Sequence, residues 1–238
     1  SGSVKHKIDA KGDAGSVSIE ARRLDIRDTD IASESIGSGN AGQVTVNAGS
    51  LVLRENGFIS TSTLGSGHAG DISVTVDSLT AHGTGNTNID LSSIKLTGIF
   101  SGAGPESSGQ TGNIDLRVGN NIQLNNGALI SIASFASAVD PNVKAGQIHV
   151  SSKDGSLYSL YLDSSVISTE TAGGDGGDLT ISNSDNIFLR NSQITTSVKG
   201  ESGNGGDINL ASNFLVLDTG FIQANTEATA ASGGDINI

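Results

Sequence analysis

Apolar residues in this chain stand at every second position within short runs, and the runs recur with similar turn residues between them. One unit, residues 42–70, reads GQVTVNAGSLVLRENGFISTSTLGSGHAG. Its alternating pairs are Val44/Val46, Leu51/Leu53 and Ile59/Thr61. A spacing of two places side chains on one face of an extended strand, and no segment keeps the 3.6-residue period of a helix. The pattern therefore predicts three short β-strands per unit and almost no helix.

The same unit returns along the whole chain, each time marked by a Gly before a polar residue and an alternating strand. These anchor glycines are Gly15, Gly42, Gly70, Gly112, Gly146, Gly177, Gly206 and Gly234. Their successive spacings are 27, 28, 42, 34, 31, 29 and 28 residues. A near-constant period of this length indicates stacked structural repeats. A β-propeller is excluded, because its blades have longer repeats with four antiparallel strands.

Three short strands per unit are typical of a chain that closes one coil about every 28 residues. Each strand then pairs in parallel with its counterpart in the next coil, so that inward aliphatic side chains form ladders. Such ladders join Val44 with Ile72, Leu179 with Ile208, and Ile208 with Ile236. We predict an all-β protein, a right-handed three-faced parallel β-helix (β-solenoid) of roughly seven to eight coils. The right hand follows from the chirality of parallel crossover connections.

Two units are longer than the basic period, and their extra residues predict insertions in the rod. The third spacing is 42 residues, with the addition near residues 82–98, and the fourth is 34, with the addition near residues 135–145. The chain begins inside a unit, stops after the first strand of an eighth, and carries no recognisable cap. We predict one β-helix segment over residues 1–238, an internal piece of a longer array whose insertions flank the third-strand face.

Composition fits a thin, repetitive core and narrows the classes of partner. Aromatic residues make up 3% of the chain, Gly occurs 33 times, and there is no Trp, Met or Cys. The formal net charge of −12 works against binding nucleic acid or an anionic membrane, since both require many Lys and Arg. No run approaches the roughly 18 apolar residues that cross a bilayer, and the opening SGSVKHKID lacks the apolar core of a signal peptide. We expect no nucleic-acid partner, no membrane insertion and a monomeric segment.

One acidic position invites a catalytic interpretation. The residue directly after the anchor glycine is acidic in four units: Asp71, Asp178, Asp207 and Asp235. Stacked about 4.8 Å apart, two of them would approach the ~5–5.5 Å separation of a retaining glycosidase. The other units carry Ser16, Gln43, Asn113 and Gln147. This exchange favours a turn residue that accepts backbone N–H bonds, so we predict no catalytic residues.

Metal binding has a similarly weak basis. The segment GGDGGDLTI, residues 173–181, resembles a calcium-binding nonapeptide, but Thr180 occupies its large apolar position and the motif is not in tandem. A calcium site built from Asp175, Asp178 and Asp207 is the alternative to a solvated turn, because clustered carboxylates suit a hard cation. His68 fills the position of Asn40 one unit earlier, which indicates a turn rather than a ligand. We predict no metal ligands, no cofactor-binding residues and no cofactor.

Asn recurs at the turn before the third strand, as Asn56, Asn126 and Asn191. Asn tolerates left-handed backbone and can bond to a neighbouring coil. We therefore predict a left-handed turn at this corner, with the Asn side chains forming a ladder.

Two long phrases resemble a known family. They are GSGNAGQVTVNAGSLVLRENGFISTST and GESGNGGDINLASNFLVLDTGFIQANT. Both are similar to the G-N-A-G-x-I-x-I … L-x-L-x-x-G-A-x-I-x-A/S-T repeats of filamentous haemagglutinin-type exoproteins of bacterial two-partner secretion, in the form common in cyanobacteria. The resemblance covers nearly the whole chain. It implies a right-handed β-helix exported to the cell surface, commonly used in adhesion, with an outer-membrane transporter as the partner of the full-length protein.

The secretion-domain motifs of that family, N-P-N-L and N-P-N-G-I, do not occur here, so we do not expect this segment itself to bind the transporter. We expect a non-enzymatic secreted or cell-surface adhesin or stalk segment that projects binding loops toward a host surface or a glycan. Exposed rings near the third-strand face, Phe58, Phe100 and Phe221, are candidate contacts. The alternatives are a polysaccharide-processing or polysaccharide-binding β-helix, and a spacer without a ligand.

Overall fold

The structure is a computed structural model that describes residues 11–85, 96–135, 144–229 and 231–238. The described residues form β-strands and connecting turns, with no helix among them. The strands are β1 (Val17–Arg27), β2 (Asp30–Ser35), β3 (Val44–Arg54), β4 (Phe58–Thr63), β5 (Ile72–His82), β6 (Thr97–Ala103), β7 (Ile114–Asn125), β8 (Ala128–Ser134), β9 (Ile148–Ser152), β10 (Tyr158–Asp163), β11 (Val166–Thr171), β12 (Leu179–Arg190), β13 (Gln193–Val198), β14 (Ile208–Asp218), β15 (Phe221–Thr226) and β16 (Ile236–Asn237).

The strands form two sheets in which the paired strands run parallel. The nine-stranded sheet has the order β1-β3-β5-β7-β10-β12-β14-β16, with β9 paired to β7 and β12. The seven-stranded sheet has the order β2-β4-β6-β8-β11-β13-β15. Each strand lies beside its counterpart from the next repeat, so the chain winds through both sheets once per repeat. The predicted all-β parallel β-helix is confirmed.

The inward ladders follow the predicted register. Val44 pairs with Ile72, Leu179 with Ile208, and Ile208 with Ile236. The register is kept across the 42-residue unit, where Ile72 pairs with Ile114. The side chains of Val44, Ile72, Ile114, Ile148, Leu179 and Ile208 are at most 1% exposed. Stacked aliphatic rows, each covered by the coils on either side, therefore form the core.

The prediction of three separate strands per unit was wrong. The pairs Val44/Val46 and Leu51/Leu53 lie on one strand, β3, and the same fusion recurs in most coils. Inward positions in β3 change phase after Ala48, and the pairing with β5 skips Gly49 there, which marks a bend inside the strand. Neighbouring coils bend at the same place, so backbone bonding resumes at once and no turn is needed. The fifth unit is different, since β9 and β10 are separate strands.

The predicted insertions near residues 82–98 and 135–145 lie in two connections between strands. β5 ends at His82 and β6 begins at Thr97, while β8 ends at Ser134 and β9 begins at Ile148. Most of both insertions, residues 86–95 and 136–143, lies outside the described residues. β6 and β8 are neighbours in the seven-stranded sheet, and every residue of both strands is buried. Their outward faces are therefore covered as well as their inward faces.

Candidate functional site

The anchor glycines stack on one another at one corner of the coil, where there is no room for a side chain. A Cβ atom built on Gly70 would overlap with the carbonyl group of Gly42, and one on Gly112 would overlap with that of Gly70. The same overlap arises at Gly146, Gly177, Gly206 and Gly234. The recurring Gly of the sequence is therefore required by the close approach of successive backbones.

The acidic side chains after the anchor glycine bond to the backbone of the next coil. Asp178 Oδ1 accepts a hydrogen bond from the N–H of Asp207 at 2.9 Å, and Asp207 Oδ1 accepts one from the N–H of Asp235 at 2.8 Å. Three other members of the column, Asp71, Asn113 and Ser16, accept the same bond from Asn113, Gln147 and Gln43 at 2.8, 2.9 and 3.1 Å. Ser, Asn and Asp thus share one acceptor role, which is the predicted turn role.

A second column, three residues earlier in each repeat, acts in the same way. Asp13 Oδ1 accepts a bond from the N–H of Asn40 at 2.7 Å, and Asn40 Oδ1 accepts one from the N–H of His68 at 2.9 Å. His68 Nδ1 then accepts a bond from the N–H of Gln110 at 2.9 Å. Its imidazole therefore replaces an Asn oxygen, with Nδ1 unprotonated. This explains why Asn and His exchange at this position.

The three carboxylates of the calcium alternative are used by these columns. Asp175 Oδ1 accepts a bond from the N–H of Asn204 at 2.9 Å, and Asp178 Oδ2 accepts one from Nε2 of Gln147 at 3.2 Å. Among the residues that the structure describes, no group of three or more His, Asp or Glu side chains is placed to hold a metal ion. The first six residues of GGDGGDLTI therefore connect strands and tie the coils together, and the last three begin β12.

Buried hydroxyl groups with a structural role, which the sequence pattern did not reveal, lie on the seven-stranded sheet, whose strands were predicted as the third strand of each unit. Thr61 and Thr196 are fully buried, and their Oγ1 atoms both donate at 2.5 Å, to the anchor carbonyls of Gly70 and Gly206 respectively. Thr169 makes the equivalent bond to Gly177 at 2.6 Å. These bonds cross the interior and fasten the third strand to the glycine corner. The sequence signal for this hydrogen bond is a Ser or Thr two residues after an inward Ile. In the sequence analysis this residue was counted as the second member of the apolar pair.

Replacing Thr196 by Val should lower the free energy of unfolding by about 1–3 kcal/mol, because the buried carbonyl of Gly206 loses its donor. Thr196→Ser is the matched control, since it keeps the hydroxyl group and removes one methyl group, at a cost of about 0.8 kcal/mol. Equilibrium denaturation followed by far-UV circular dichroism measures both values. A Val variant as stable as the unchanged chain would contradict the assignment of this hydrogen bond.

The turn before the third strand has the predicted left-handed backbone. The φ angles of Asn56, Asn126 and Asn191 are 65°, 51° and 47°. The predicted side-chain ladder was wrong, however, because the coil next to Asn126 has Ser164 at this turn, also with positive φ. Asn126 still bonds to both neighbouring coils: its Nδ2 donates to the carbonyl of Gly83 at 2.9 Å, and its main-chain N–H donates to the carbonyl of Asp163 at 3.0 Å.

The three rings predicted as exposed contacts behave differently from one another. Phe221 is 46% exposed and Phe58 is half-buried. Phe100 is only 1% exposed, so the prediction was wrong for this ring. Its ring lies where a Cβ atom on Gly102 would stand, and the absence of that atom leaves room for it. Phe100 therefore contributes to packing on the outer face of β6.

A different pair of rings faces solvent on the nine-stranded sheet. Tyr161 of β10 and Phe188 of β12 are aligned across the sheet, with ring centroids 6.5 Å apart and planes inclined at 46°. Tyr161 is 41% exposed, and Phe188 is half-buried. Neither ring was predicted as a contact, because the predicted contacts were rings near the third-strand face. The sequence signal for these rings is a run of three consecutive apolar residues in an alternating strand, LYL in residues 160–162 and IFL in residues 187–189.

Comparison with known proteins found no matching family model, no similar curated protein and no similar solved structure. The resemblance to filamentous haemagglutinin-type exoproteins therefore rests on the repeated motifs alone. Across the described parts of the chain, no helix has the length and apolar character needed to cross a membrane.

Proposed function

We propose that this chain is a segment of a non-enzymatic, secreted or cell-surface adhesin or stalk of the filamentous haemagglutinin type. The observation that carries the proposal is the use of the repeated polar side chains. The Asp, Asn and His residues of the two columns bond to the backbone of the next coil. Side chains used in this way stiffen a rod, and a rod whose repeats hold one another suits the projection of a binding surface.

The alternative of a polysaccharide-processing enzyme receives less support from the same contacts. Glycoside hydrolysis needs one carboxyl group to protonate the leaving group and a second that attacks the sugar or activates water. Asp178 Oδ1 and Asp207 Oδ1 each accept a backbone N–H bond instead. The two residues are also successive members of one column that continues with Asn and Ser in other coils, so nothing distinguishes a reactive pair within it.

The proposal extends to location and partners. The repeat motifs support export through an outer-membrane two-partner-secretion transporter that acts on the full-length protein, and a final position outside the cell or on its surface. The net charge of −12 supports a ligand other than nucleic acid, since a phosphate backbone would be repelled. The proposed ligand of the segment is a host-surface molecule or a glycan.

The test of this function measures adhesion and turnover on the same protein. Beads coated with the chain should adhere to cell-surface or polysaccharide layers more strongly than beads coated with an equally acidic globular protein. Incubation with pectin and neutral polysaccharides should release no new reducing ends, and Asp178→Asn should behave as the unchanged chain. Turnover that disappears in Asp178→Asn would show an enzyme, while a complete lack of adhesion would show a spacer.

A further inference from the structure

Four consecutive coils place an outward residue at the same position of the nine-stranded sheet. These residues, which we call the aromatic strip, are Gln123, Tyr161, Phe188 and Val216. Tyr161 pairs with Gln123 on one side and with Phe188 on the other, and Phe188 pairs with Val216. Adjacent strands lie about 4.8 Å apart, so the strip runs along the axis of the rod with one side chain per strand.

The strip is not required by the fold. The core beneath it is complete without the rings, because Leu160, Leu162, Ile187 and Leu189 are at most 1% exposed. The chain has only six Phe and two Tyr, yet two of these rings occupy adjoining outward positions. Val216, 46% exposed, extends the apolar surface. A contiguous apolar patch on an outer face is typical of a binding surface.

Polar groups lie along one side of the aromatic strip. They occupy the position two residues after the strip residue in each strand. Arg190 forms an ion pair with Asp163, and the hydrogen bond from Arg190 holds the pKa of Asp163 below its usual range. The same hydrogen bond to Asp163 raises the pKa of Arg190, and the negative charge of Asp218 adds to this effect. This border therefore presents hydrogen-bond donors and acceptors, with one guanidinium group between two carboxylates.

The opposite border is mixed: Ser159 and Asn186 are polar, and Phe214, which pairs with Asn186 on the next strand, is 63% exposed. Asn186 Nδ2 donates to Ser159 Oγ at 3.3 Å and to Asp185 Oδ2 at 2.8 Å. Both Asn186 and Ser159 are half-buried, and they are paired across the sheet. The strip thus has charged hydrogen-bonding groups along one side, and along the other side two polar groups followed by the ring of Phe214.

We propose that the aromatic strip binds a neutral polysaccharide chain laid along the axis of the rod. The CH face of a sugar ring is flat and apolar and packs against an aromatic ring, while its hydroxyl groups reach the polar groups beside the strip. A sugar unit is about as long as one strand spacing of ~4.8 Å, so successive units meet successive coils. This inference rests on the proposed function, because it assigns a ligand class to the same non-enzymatic rod.

Charge and area argue against other occupants. A polyanionic glycan would be repelled by a chain of net charge −12. The side chains of Tyr161, Phe188 and Val216, each partly exposed, offer roughly 300 Å² of contact. A stable interface between two copies of the chain needs about 800 Å² per partner, so this strip is too small for one. An extended ligand needs less area at each coil, since it gains from several linked contacts.

The test compares polysaccharide binding by ring-deletion variants and matched controls. In affinity electrophoresis through gels containing xylan, soluble β-glucan or dextran, at least one neutral polymer should retard the full chain. Tyr161→Ser and Phe188→Ser should each weaken that binding by about tenfold, which corresponds to the loss of one stacking contact. Phe221→Ser removes a similarly exposed ring on the other sheet and should change the affinity by less than a factor of two. Tyr161→Phe keeps the ring and should retain binding.

Four results would contradict the binding of a neutral polysaccharide by the strip. The inference fails if no neutral polymer retards the chain, if only pectate does, or if Tyr161→Ser together with Phe188→Ser leaves retardation unchanged. It also fails if sedimentation shows dimers that the double variant abolishes. If beads coated with the double variant still adhere, the strip is not the binding site, but the proposed adhesive function stands. If the chain cleaves a bound polymer, the proposed non-enzymatic function is wrong, but the strip still binds the polymer.

Discussion

Replacing Gly112 by Ala should destabilise the β-helix by about 3 kcal/mol, at the upper end of the cost of overpacking. The added Cβ atom would overlap with the carbonyl group of Gly70 in the preceding coil. Gly70 lies between Ala69 and Ile72, whose N–H groups donate to the carbonyls of Gln110 and Asn113 in the next coil, so its carbonyl group cannot move without disturbing hydrogen bonds between the coils. Urea denaturation followed by far-UV circular dichroism measures the loss.

Gly119→Ala is the matched control, because Gly119 lies seven residues after Gly112, within β7. A Cβ atom there would approach Asp77 at 3.4 Å, which is ordinary contact. Its stability should stay within about 1 kcal/mol of the unchanged chain, since Gly→Ala at a compatible position also restricts the unfolded state. If Gly112→Ala is as stable as Gly119→Ala, the stacking of the anchor glycines is not what maintains the repeat.

Replacing Ile208 by Asp should cost about 4 kcal/mol or more and unfold the coils around it, because a charge would be buried without a partner. Ile208 is fully buried and pairs with Leu179 on one side and Ile236 on the other. The aliphatic row has no group that could bond to a carboxylate. Thermal denaturation should show a lower midpoint together with loss of strand signal.

Asn209→Asp provides the control for the same chemical group at the next position. Asn209 faces outward, and its Oδ1 accepts a bond from Nδ2 of Asn237 at 2.9 Å, a role that a carboxylate oxygen can keep. We expect a change within about 0.5 kcal/mol, as for surface substitutions in general. Equal destabilisation by Ile208→Asp and Asn209→Asp would refute the inward assignment of Ile208.

The turn chemistry was partly readable from the sequence. Exchange of Asp, Asn, Gln and Ser after the anchor glycine predicted an acceptor of backbone bonds, and Asp178 has that role. The partner of Thr196 was not readable, because the carbonyl of Gly206 lies ten residues away and meets the hydroxyl only when the coil closes. Sequence distance carries no information about which corner faces which strand inside the coil.

The exposure of the aromatic rings was also only partly predictable from the sequence. Alternation predicts which residues point outward, and Phe100 does so on β6, but outward is exposed only where nothing covers the sheet. Every residue of β6 and β8 is buried, so Phe100 is buried as well. Tyr161 and Phe188 come from units of different length, and the separation of β9 from β10 decides that they become neighbours.

The sequence by itself determined the strand content, the parallel stacking and the inward register, as the pairing of Val44 with Ile72 shows. It could do so because two periods, one of two residues and one of about 28, must both be satisfied, and shifting a strand by one residue would turn every apolar side chain outward. The tertiary structure alone decided that Val44/Val46 and Leu51/Leu53 share one strand. Whether a bend interrupts a strand depends on the neighbouring coil, which continues the hydrogen bonds only if it bends at the same residue.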